Sequence, residues 1–458
     1  MGDGLDLSRP GLAVHVVGVG GTGMSAIAEV LVGMGHRVSG SDLRGSPVLS
    51  RLAGLGVDVA VGHDAANVPA AVDLVARSSA IAATNPEVAA AQRRGVAVVA
   101  RADVLAAITR LRRTIAIAGT HGKTTTSALV AAALDAAGLD PSFVVGGEIA
   151  GLGTGGRWSA GEWLVVEADE SDGTFLDLEV EVGVVTSVEP DHVEHYGDFD
   201  AEVAAFARFL AGAGSARLVC ADDPVAASLG AVAGAGAATY GFHADAGVRI
   251  VDYEGGRGRS RFRLATGGHE LGVVDLALPG RHNARNAAGA VAAALAAGAP
   301  ADAALAGVAT FQGVGRRSQL RGERDGITFV DDYAHLPGEV APALAAAVEG
   351  GWDRVVCVFQ PHRYSRTEAL WADFAHAFAG ADLLVVTELY PAGEAPRPGV
   401  SGRLVADAVR AAHPERRVEW RADRADLVAF LRHELRPGDL CLTLGAGDLT
   451  TVPDELLR

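Results

Sequence analysis

Three clusters of residues have the types and spacing to do chemistry, and the most specific of them points at phosphate. It reads Gly119-Thr120-His121-Gly122-Lys123-Thr124-Thr125-Thr126, preceded by the β-branched run Thr114-Ile115-Ala116-Ile117-Ala118 and followed by the helical Ala128-Leu129-Val130-Ala131. Strand, glycine turn, Lys-Thr and helix are the parts of a phosphate-binding loop. Backbone N–H groups and the helix dipole cradle a polyphosphate, the lysine reaches its terminal oxygens, and a threonine hydroxyl meets Mg²⁺. Ile117 stands where the usual eight-residue form has its first glycine, so a search for that form passes over this one. The bland alternative is a Gly-rich turn with an accidental lysine.

Two acidic runs follow at expected strand ends: Glu167-Ala168-Asp169-Glu170-Ser171-Asp172 after Val165-Val166, and Glu189-Pro190-Asp191-His192 after a strand ending at Thr186. In a parallel sheet the carboxyl ends of strands gather on the edge that carries the phosphate loop, so these acids can share a site with Thr124. Hard oxygen ligands with one imidazole suit Mg²⁺ bound mainly through water and substrate phosphates. Zinc fits less well, because His192 and His195 lack a ligand cluster of recognisable spacing. The third cluster is Gly18-Val19-Gly20-Gly21-Thr22-Gly23, after the run Leu12 to Val17, with Asp42 closing the next expected strand. Taken alone it is a dinucleotide fingerprint and suggests an NAD-dependent oxidoreductase. Any diphosphate ligand would exploit the same turn and helix N-terminus, however, and nothing downstream supplies a hydride-transfer site.

Positioning such groups takes βαβ units, and their grammar occurs in three blocks: a β-branched run, a Gly-rich or polar turn, then an Ala/Leu-rich helix. The first block has expected strands at 12–17, 37–39, 72–75 and 96–99, the second at 114–118, 163–166, 182–186 and 217–220. Between about 241 and 279 the pattern changes to shorter alternating runs, an antiparallel patch. The third block has strands at 327–330, 355–359, 383–386 and 440–444. The fold class is therefore α/β in three domains: Rossmann-like over residues 1–108, a central phosphate-loop ATPase domain over 109–315, and a Rossmann-like C-terminal domain over 316–458. Ala-rich residues 287–306 read as packing helices.

Composition narrows the class. The 458 residues suggest about three domains at roughly 150 each, and 49% hydrophobic against 21% charged residues is a globular balance. Cys220, Cys357 and Cys441 lie far apart, against a disulfide framework and in keeping with a reducing cytoplasm. Neither a membrane helix nor a secretory signal is expected. A net charge of -17 argues against nucleic acid as a partner.

At these residues the chain resembles the Mur ligases, ATP-dependent amide-forming enzymes of peptidoglycan precursor synthesis. The likeness rests on 119–126, 167–172 and 189–192, on Gly280-Arg281-His282-Asn283-Ala284-Arg285-Asn286-Ala287, which resembles the adenine-contacting segment, and on Asp331-Asp332-Tyr333-Ala334-His335. Residues 18–24, 359–367 and Tyr390-Pro391-Ala392-Gly393-Glu394 look like the branch that joins L-alanine to UDP-N-acetylmuramate. The branch that recycles a murein tripeptide would have Tyr for Ser171 and Arg-Ser-Asn-Thr in place of residues 362–367. The resemblance implies ATP and Mg²⁺ as cofactors, UDP-N-acetylmuramate and L-alanine as substrates, an acyl-phosphate intermediate, and a monomer or homodimer in the cytoplasm.

Residue by residue it implies that Lys123, Glu167, His192, His335 and Arg363 serve catalysis, with Thr124, Glu167 and His192 toward the metal. ATP would be held by Gly119, Thr120, His121, Gly122, Lys123, Thr124, Thr125, His282, Asn283 and Asn286, with Arg316 or Arg317 reaching it from the domain boundary. The sugar nucleotide would meet Gly18, Gly20, Gly21, Thr22, Gly23, Asp42, Ser78 and Ser79; Tyr333, His335, His362, Arg363 and Arg366 would serve the acyl phosphate and amino acid. Closure of the third domain onto the second is expected to assemble the site. Departures are His335-Leu336-Pro337-Gly338-Glu339 for the family's His-His-Pro-Thr-Glu, Ser318 at a bulkier position, and Ser187 for a common asparagine.

Overall fold

The computed structural model describes residues 5–232 and 236–458. The first sheet is all parallel: β1 Ala13–Val17, β2 Arg37–Asp42, β3 Asp58–Val61, β4 Leu74–Arg77 and β5 Ala97–Ala100, in the order β3-β2-β1-β4-β5. All five residues of β1 are buried, as expected of a parallel strand covered on both faces. Strand order reverses between β1 and β4, which opens a crevice at their carboxyl ends. The Gly18–Gly23 turn lies there.

The second sheet contains β6 Arg113–Ala118, β7 Ser142–Ile149, β8 Thr154–Arg157, β9 Trp163–Glu167, β10 Val182–Val185, β11 Ala216–Cys220, β12 Ala238–Gly241, β13 Val248–Gly256, β14 Arg259–Thr266 and β15 His269–Leu276. Their order is β15-β14-β13-β12-β11-β10-β6-β9-β7-β8. β6 runs parallel to both neighbours, β9 and β10, so the segments leaving all three emerge on one edge. That register sets the phosphate loop between the two acidic runs. The expected antiparallel patch is β13 to β15, whose two-residue connections at 257–258 and 267–268 only antiparallel strands allow.

The third sheet holds β16 Gln319–Arg324, β17 Ile327–Asp332, β18 Arg354–Phe359, β19 Leu383–Thr387, β20 Arg417–Arg421 and β21 Asp439–Leu444, ordered β16-β17-β21-β18-β19-β20. Only β16 is antiparallel to its neighbour. Period-two alternation divides its core: Val355, Cys357 and Phe359 pack on one face, Val356 and Val358 on the other. The molecule is thus α/β in three domains. By compactness it forms two units, one of residues through 251 with 264–272 and 285–311, the other of 252–263, 273–284 and 312–458.

Six strands escape the sequence reading: β3, β7, β8, β12, β16 and β20. Four are sheet edges, where one side of the strand needs no apolar partner, so β16 and β20 read as charged loops. β8 reads as a turn because it is Thr-Gly-Gly-Arg, and its glycines admit another element. A Cβ on Gly156 would stand 2.1 Å from the carbonyl oxygen of Ala26 in helix Thr22–Gly33. Buried Glu29 of that helix accepts from the amide of Gly156 and, at 2.9 Å, from Arg51 Nε. The strand expected at 72–75 begins two residues later, because the Asp73 carboxylate accepts from the Ala13 amide at 2.7 Å. The Ala-rich stretch is helical as expected, over Arg281–Ala296 and Ala301–Thr310. Its small residues permit close packing: a Cβ on Gly307 would lie 2.4 Å from the Ala132 carbonyl of helix Lys123–Ala136. This helix pair braces the phosphate loop from behind.

Candidate functional site

Helix Lys123–Ala136 begins at Gly122, which caps it in the left-handed region at φ 82° with no side chain to satisfy its first amides. Such an N-terminus is a ready anion site. Gly119, at φ 130°, must be glycine: a Cβ would lie 2.2 Å from Thr186 Oγ1. The segment after β10 clasps the loop, since the Ser187 carbonyl accepts from the Thr120 amide at 2.9 Å and Ser187 Oγ accepts from the His121 amide at 3.1 Å. The departure at Ser187 therefore still supplies a side-chain acceptor. Thr120 Oγ1 accepts from the Glu189 amide at 2.9 Å, and His121 Nε2 pairs with Glu189 at 3.1 Å. Gly122 also leaves room for Asn286, whose Oδ1 would be 2.5 Å from an added Cβ. Asn286 thus packs on the phosphate loop, while Asn283 Nδ2 donates to the Pro279 carbonyl at 2.8 Å and His282 lies against Gly280. Thr125 is buried in the first helical turn.

Lys123 Nζ donates to the Gly119 carbonyl at 2.6 Å and to Glu170 Oε1 at 2.8 Å. Burial by itself would lower its pKa, but the carboxylates of Glu170, Asp169 and Glu167 outweigh burial and hold it above the ordinary lysine value. The group is an ammonium at neutral pH. Thr124 Oγ1 donates to Glu167 Oε1 at 3.0 Å, and Glu167 Oε2 accepts from the Gly146 amide at 2.8 Å. A hydroxyl and a carboxylate set side by side next to an anion-binding helix end are a donor set that fits Mg²⁺. His192 sits in the loop after β10 with φ 53°, paired to Asp191 at 3.4 Å. No contact joins it to Thr124 or Glu167, and among the described residues no three His, Cys, Asp or Glu side chains form a metal cluster. The two-residue Thr124–Glu167 pair is what the fold delivers.

At the first glycine turn the amides of Gly18 and Val19 donate to the Ser41 carbonyl at 2.8 and 3.0 Å, and Gly20 N donates to Asp42 Oδ2 at 2.9 Å. Asp42 therefore shapes the loop. Gly21 caps helix Thr22–Gly33 without any side-chain bond, which leaves the first-turn amides at Thr22 and Gly23 facing an anion site. Ser78, after β4, lies beside Gly18 across the crevice, and Ser79 is exposed next to it.

In the second unit Tyr333, His335, His362, Arg363 and Arg366 come together as expected. The His335 and His362 rings are 5.5 Å apart, and His362 stacks on Tyr390 at 5.9 Å. His335 Nδ1 pairs with Glu339 at 3.1 Å, and its amide is held by the same carboxylate. Leu336, where the family has a second imidazole, is buried at the N-cap of helix Pro337–Glu349. Arg363 has φ 66° and its amide donates to the Tyr390 carbonyl, an outlier conformation held by its surroundings. Burial, with the charges of His335, Arg366 and Arg363, drives the His362 pKa down to about 3. We predict that the His362 ring protons show no NMR titration between pH 5 and 8; a midpoint near 6.5 would contradict the packing of this cluster.

Arg316 and Arg317 both lie over the Tyr333 ring, at 4.9 and 4.8 Å. Their surroundings differ. Arg316 Nη2 donates to the carbonyls of Gly445 and Gly447 at 2.6 and 3.0 Å, which engages it with the turn after β21. Among the described residues Arg317 makes no such carbonyl bonds, and its charge acts instead on buried Asp332. The Ser318 amide donates to Asp332 at 2.7 Å from a backbone at φ 47°, so the small residue there serves a tight turn. Asp331 accepts from Thr443 and Thr450 hydroxyls, each at 2.6 Å, and braces the sheet.

Sequence reading missed Arg101. It opens helix Arg101–Thr109, and its Nη2 donates to Asp169 at 3.2 Å. The signal was a cation at a helix N-terminus, where the dipole disfavours one.

A phosphate loop on a parallel sheet, a second anion-binding turn on a Rossmann-like sheet and a histidine-arginine cluster on a third sheet define a nucleotide-using ligase of three α/β domains. Family models for the Mur ligase catalytic, middle and glutamate ligase domains match residues 13–113, 117–294 and 316–447, and the chain belongs to the Mur ligase family. It is 47% identical over 444 residues to the UDP-N-acetylmuramate–L-alanine ligase of Oleidesulfovibrio alaskensis, covering 96% of this chain and 97% of that one. To the enzyme of the same name from Kineococcus radiotolerans it is 49% identical, over 97% and 95% of the two chains. The crystal structure of UDP-N-acetylmuramate-alanine ligase from Thermotoga maritima superposes with a TM-score of 0.83 at 26% identity, covering 97% and 98%. A murein peptide ligase from Psychrobacter arcticus, at 22% identity and TM-score 0.71, shares the fold.

Proposed function

We propose that this protein joins L-alanine to the lactyl carboxylate of UDP-N-acetylmuramate at the expense of ATP, an early step in building the peptide of peptidoglycan precursors. One observation carries the reading: 47% and 49% identity to two alanine ligases over nearly the full length, with the phosphate loop, the Thr124–Glu167 pair and the histidine-arginine cluster all present. A carboxylate is a poor acyl donor. Its oxygen first attacks the γ-phosphorus of ATP, ADP leaves, and an acyl phosphate forms. The neutral amine of alanine then attacks the acyl carbon, loses a proton, and inorganic phosphate departs with one oxygen of the original carboxylate.

Phosphoryl transfer needs positioning and charge neutralisation more than covalent help. Lys123 and the first-turn amides of its helix would hold the phosphates, and Arg317 would add a cation to the nucleotide. Mg²⁺, held by Thr124 and Glu167, would neutralise charge on the phosphate oxygens. His335, steadied by Glu339, and Arg363 and Arg366 would orient the acyl phosphate and the amino acid, while neutral His362 packs behind them. Preference for alanine over glycine rests on one methyl and is limited to about 1–3 kcal/mol. The reaction draws on ATP and UDP-sugars, so the cytoplasm is its place; the three cysteines are free and buried, and among the described residues no helix is long and apolar enough to cross a membrane.

The test is to incubate the protein with UDP-N-acetylmuramate, ATP, Mg²⁺ and single amino acids. Phosphate release that depends on alanine, with a product heavier by one alanyl residue, is expected. Phosphate release without that mass gain, or NAD turnover, would contradict the reading.

A further inference from the structure

Arg101 stands between the two phosphate sites of the first unit. On one side its side chain runs along Gly23, in the first turn of helix Thr22–Gly33: a Cβ on Gly23 would be 3.5 Å from both Cδ and Nη1 of Arg101. On the other side Nη2 donates to Asp169 at 3.2 Å. Asp169 belongs to the acidic run beside Lys123. Among the described residues the bond to Asp169 is the one the guanidinium makes, although it has five donors and a side chain 23% exposed. Arg101 is also the first residue of helix Arg101–Thr109, whose Asp103 carboxylate already accepts from the Ala100 amide at 2.8 Å. A cation at that positive end costs energy unless an anion meets it.

We infer that Arg101 is a binding residue for the sugar-side phosphate of the uridine diphosphate held at Gly18–Gly23, anchored by Asp169 so that Nη1 and Nε face the ligand. This rests on the sugar-nucleotide reading above. The uncapped amides of Thr22 and Gly23 supply one set of donors and the guanidinium fork the other, a pairing a point-charge lysine does not reproduce. In a chain of net charge -17, one placed cation matters for drawing in a substrate that carries a diphosphate and a carboxylate. Its contacts run from Gly23 to Asp169, toward the acidic run beside Lys123, the direction in which the sugar would extend.

The experiment compares UDP with UMP by calorimetry on the full chain, wild type against Arg101→Gln and Arg101→Lys, with steady-state kinetics alongside. Wild type should bind UDP more tightly than UMP. Arg101→Gln should weaken UDP by roughly tenfold or more while UMP changes less than about twofold, the loss of a charge-assisted bond to one phosphate. Arg101→Lys should fall between, the KM for UDP-N-acetylmuramate should rise with the UDP Kd, and the KM for ATP should stay put. Equal losses for UDP and UMP, or no loss, or an effect on ATP alone, would overturn the assignment while wild-type binding of UDP leaves the sugar-nucleotide reading standing. A wild type that binds neither uridine nucleotide overturns both.

Discussion

Lys123→Ala abolishes phosphate release, by roughly a thousandfold or more, and leaves UDP-N-acetylmuramate binding within about twofold of wild type. Both halves follow from position. Lys123 lies in the mouth of the phosphate loop, bonded to the Gly119 carbonyl and held as an ammonium by the acids around it. Truncation removes the only lysine of the loop and leaves Glu170, 1% exposed, without its partner. The sugar-nucleotide loop hangs from β1 and β2 and draws its geometry from Ser41 and Asp42, none of which touches Lys123. Single-turnover phosphate release reads the first half; calorimetric titration with the sugar nucleotide reads the second. Loss of sugar-nucleotide binding in the variant would contradict the division of labour between the two loops.

The second large effect falls on Glu167→Gln. The two carboxylate oxygens have separate tasks: Oε1 meets the Thr124 hydroxyl and Oε2 the Gly146 amide. Gly146 is fitted to this contact, because a Cβ there would lie 2.5 Å from Oε2. A glutamine keeps the volume but loses the charge: with its carbonyl oxygen on the Gly146 amide its NH₂ faces Thr124, whose hydroxyl then turns to accept, and the anionic oxygen beside that hydroxyl is gone. We expect kcat to fall roughly a hundredfold, and the Mg²⁺ concentration for half-maximal rate to rise several-fold as a charged hard ligand is lost. Thr124→Ala should move the same Mg²⁺ midpoint by less. A Glu167→Gln enzyme with lowered kcat and an unmoved Mg²⁺ midpoint would remove Glu167 from the metal site.

What the sequence shows and what it hides have physical reasons. The two glycine turns were legible because each requires a backbone that few residues permit: Gly119 at φ 130° faces Thr186, and Gly18 at φ 82° faces Ser78. Buried strands such as β1, β6 and β18 were legible as apolar runs, whereas edge strands β16 and β20 carry charge and hid among loops. The histidine-arginine cluster was expected from resemblance, but only the fold sets His335 against His362 and distinguishes Arg317 from Arg316. Asp42 shows the reverse: its place at the end of β2 was readable, yet its bond to Gly20 N was not. Arg101 and Asp169 are 68 residues apart, and pairing at that separation leaves no trace in local spacing.

The central claim is an acyl phosphate formed from the substrate carboxylate, and isotope transfer tests it most directly. UDP-N-acetylmuramate labelled with ¹⁸O in its lactyl carboxylate should, with ATP, Mg²⁺ and L-alanine, yield inorganic phosphate carrying one labelled oxygen per turnover, read by mass spectrometry. Unlabelled phosphate, or label appearing in AMP, would contradict it.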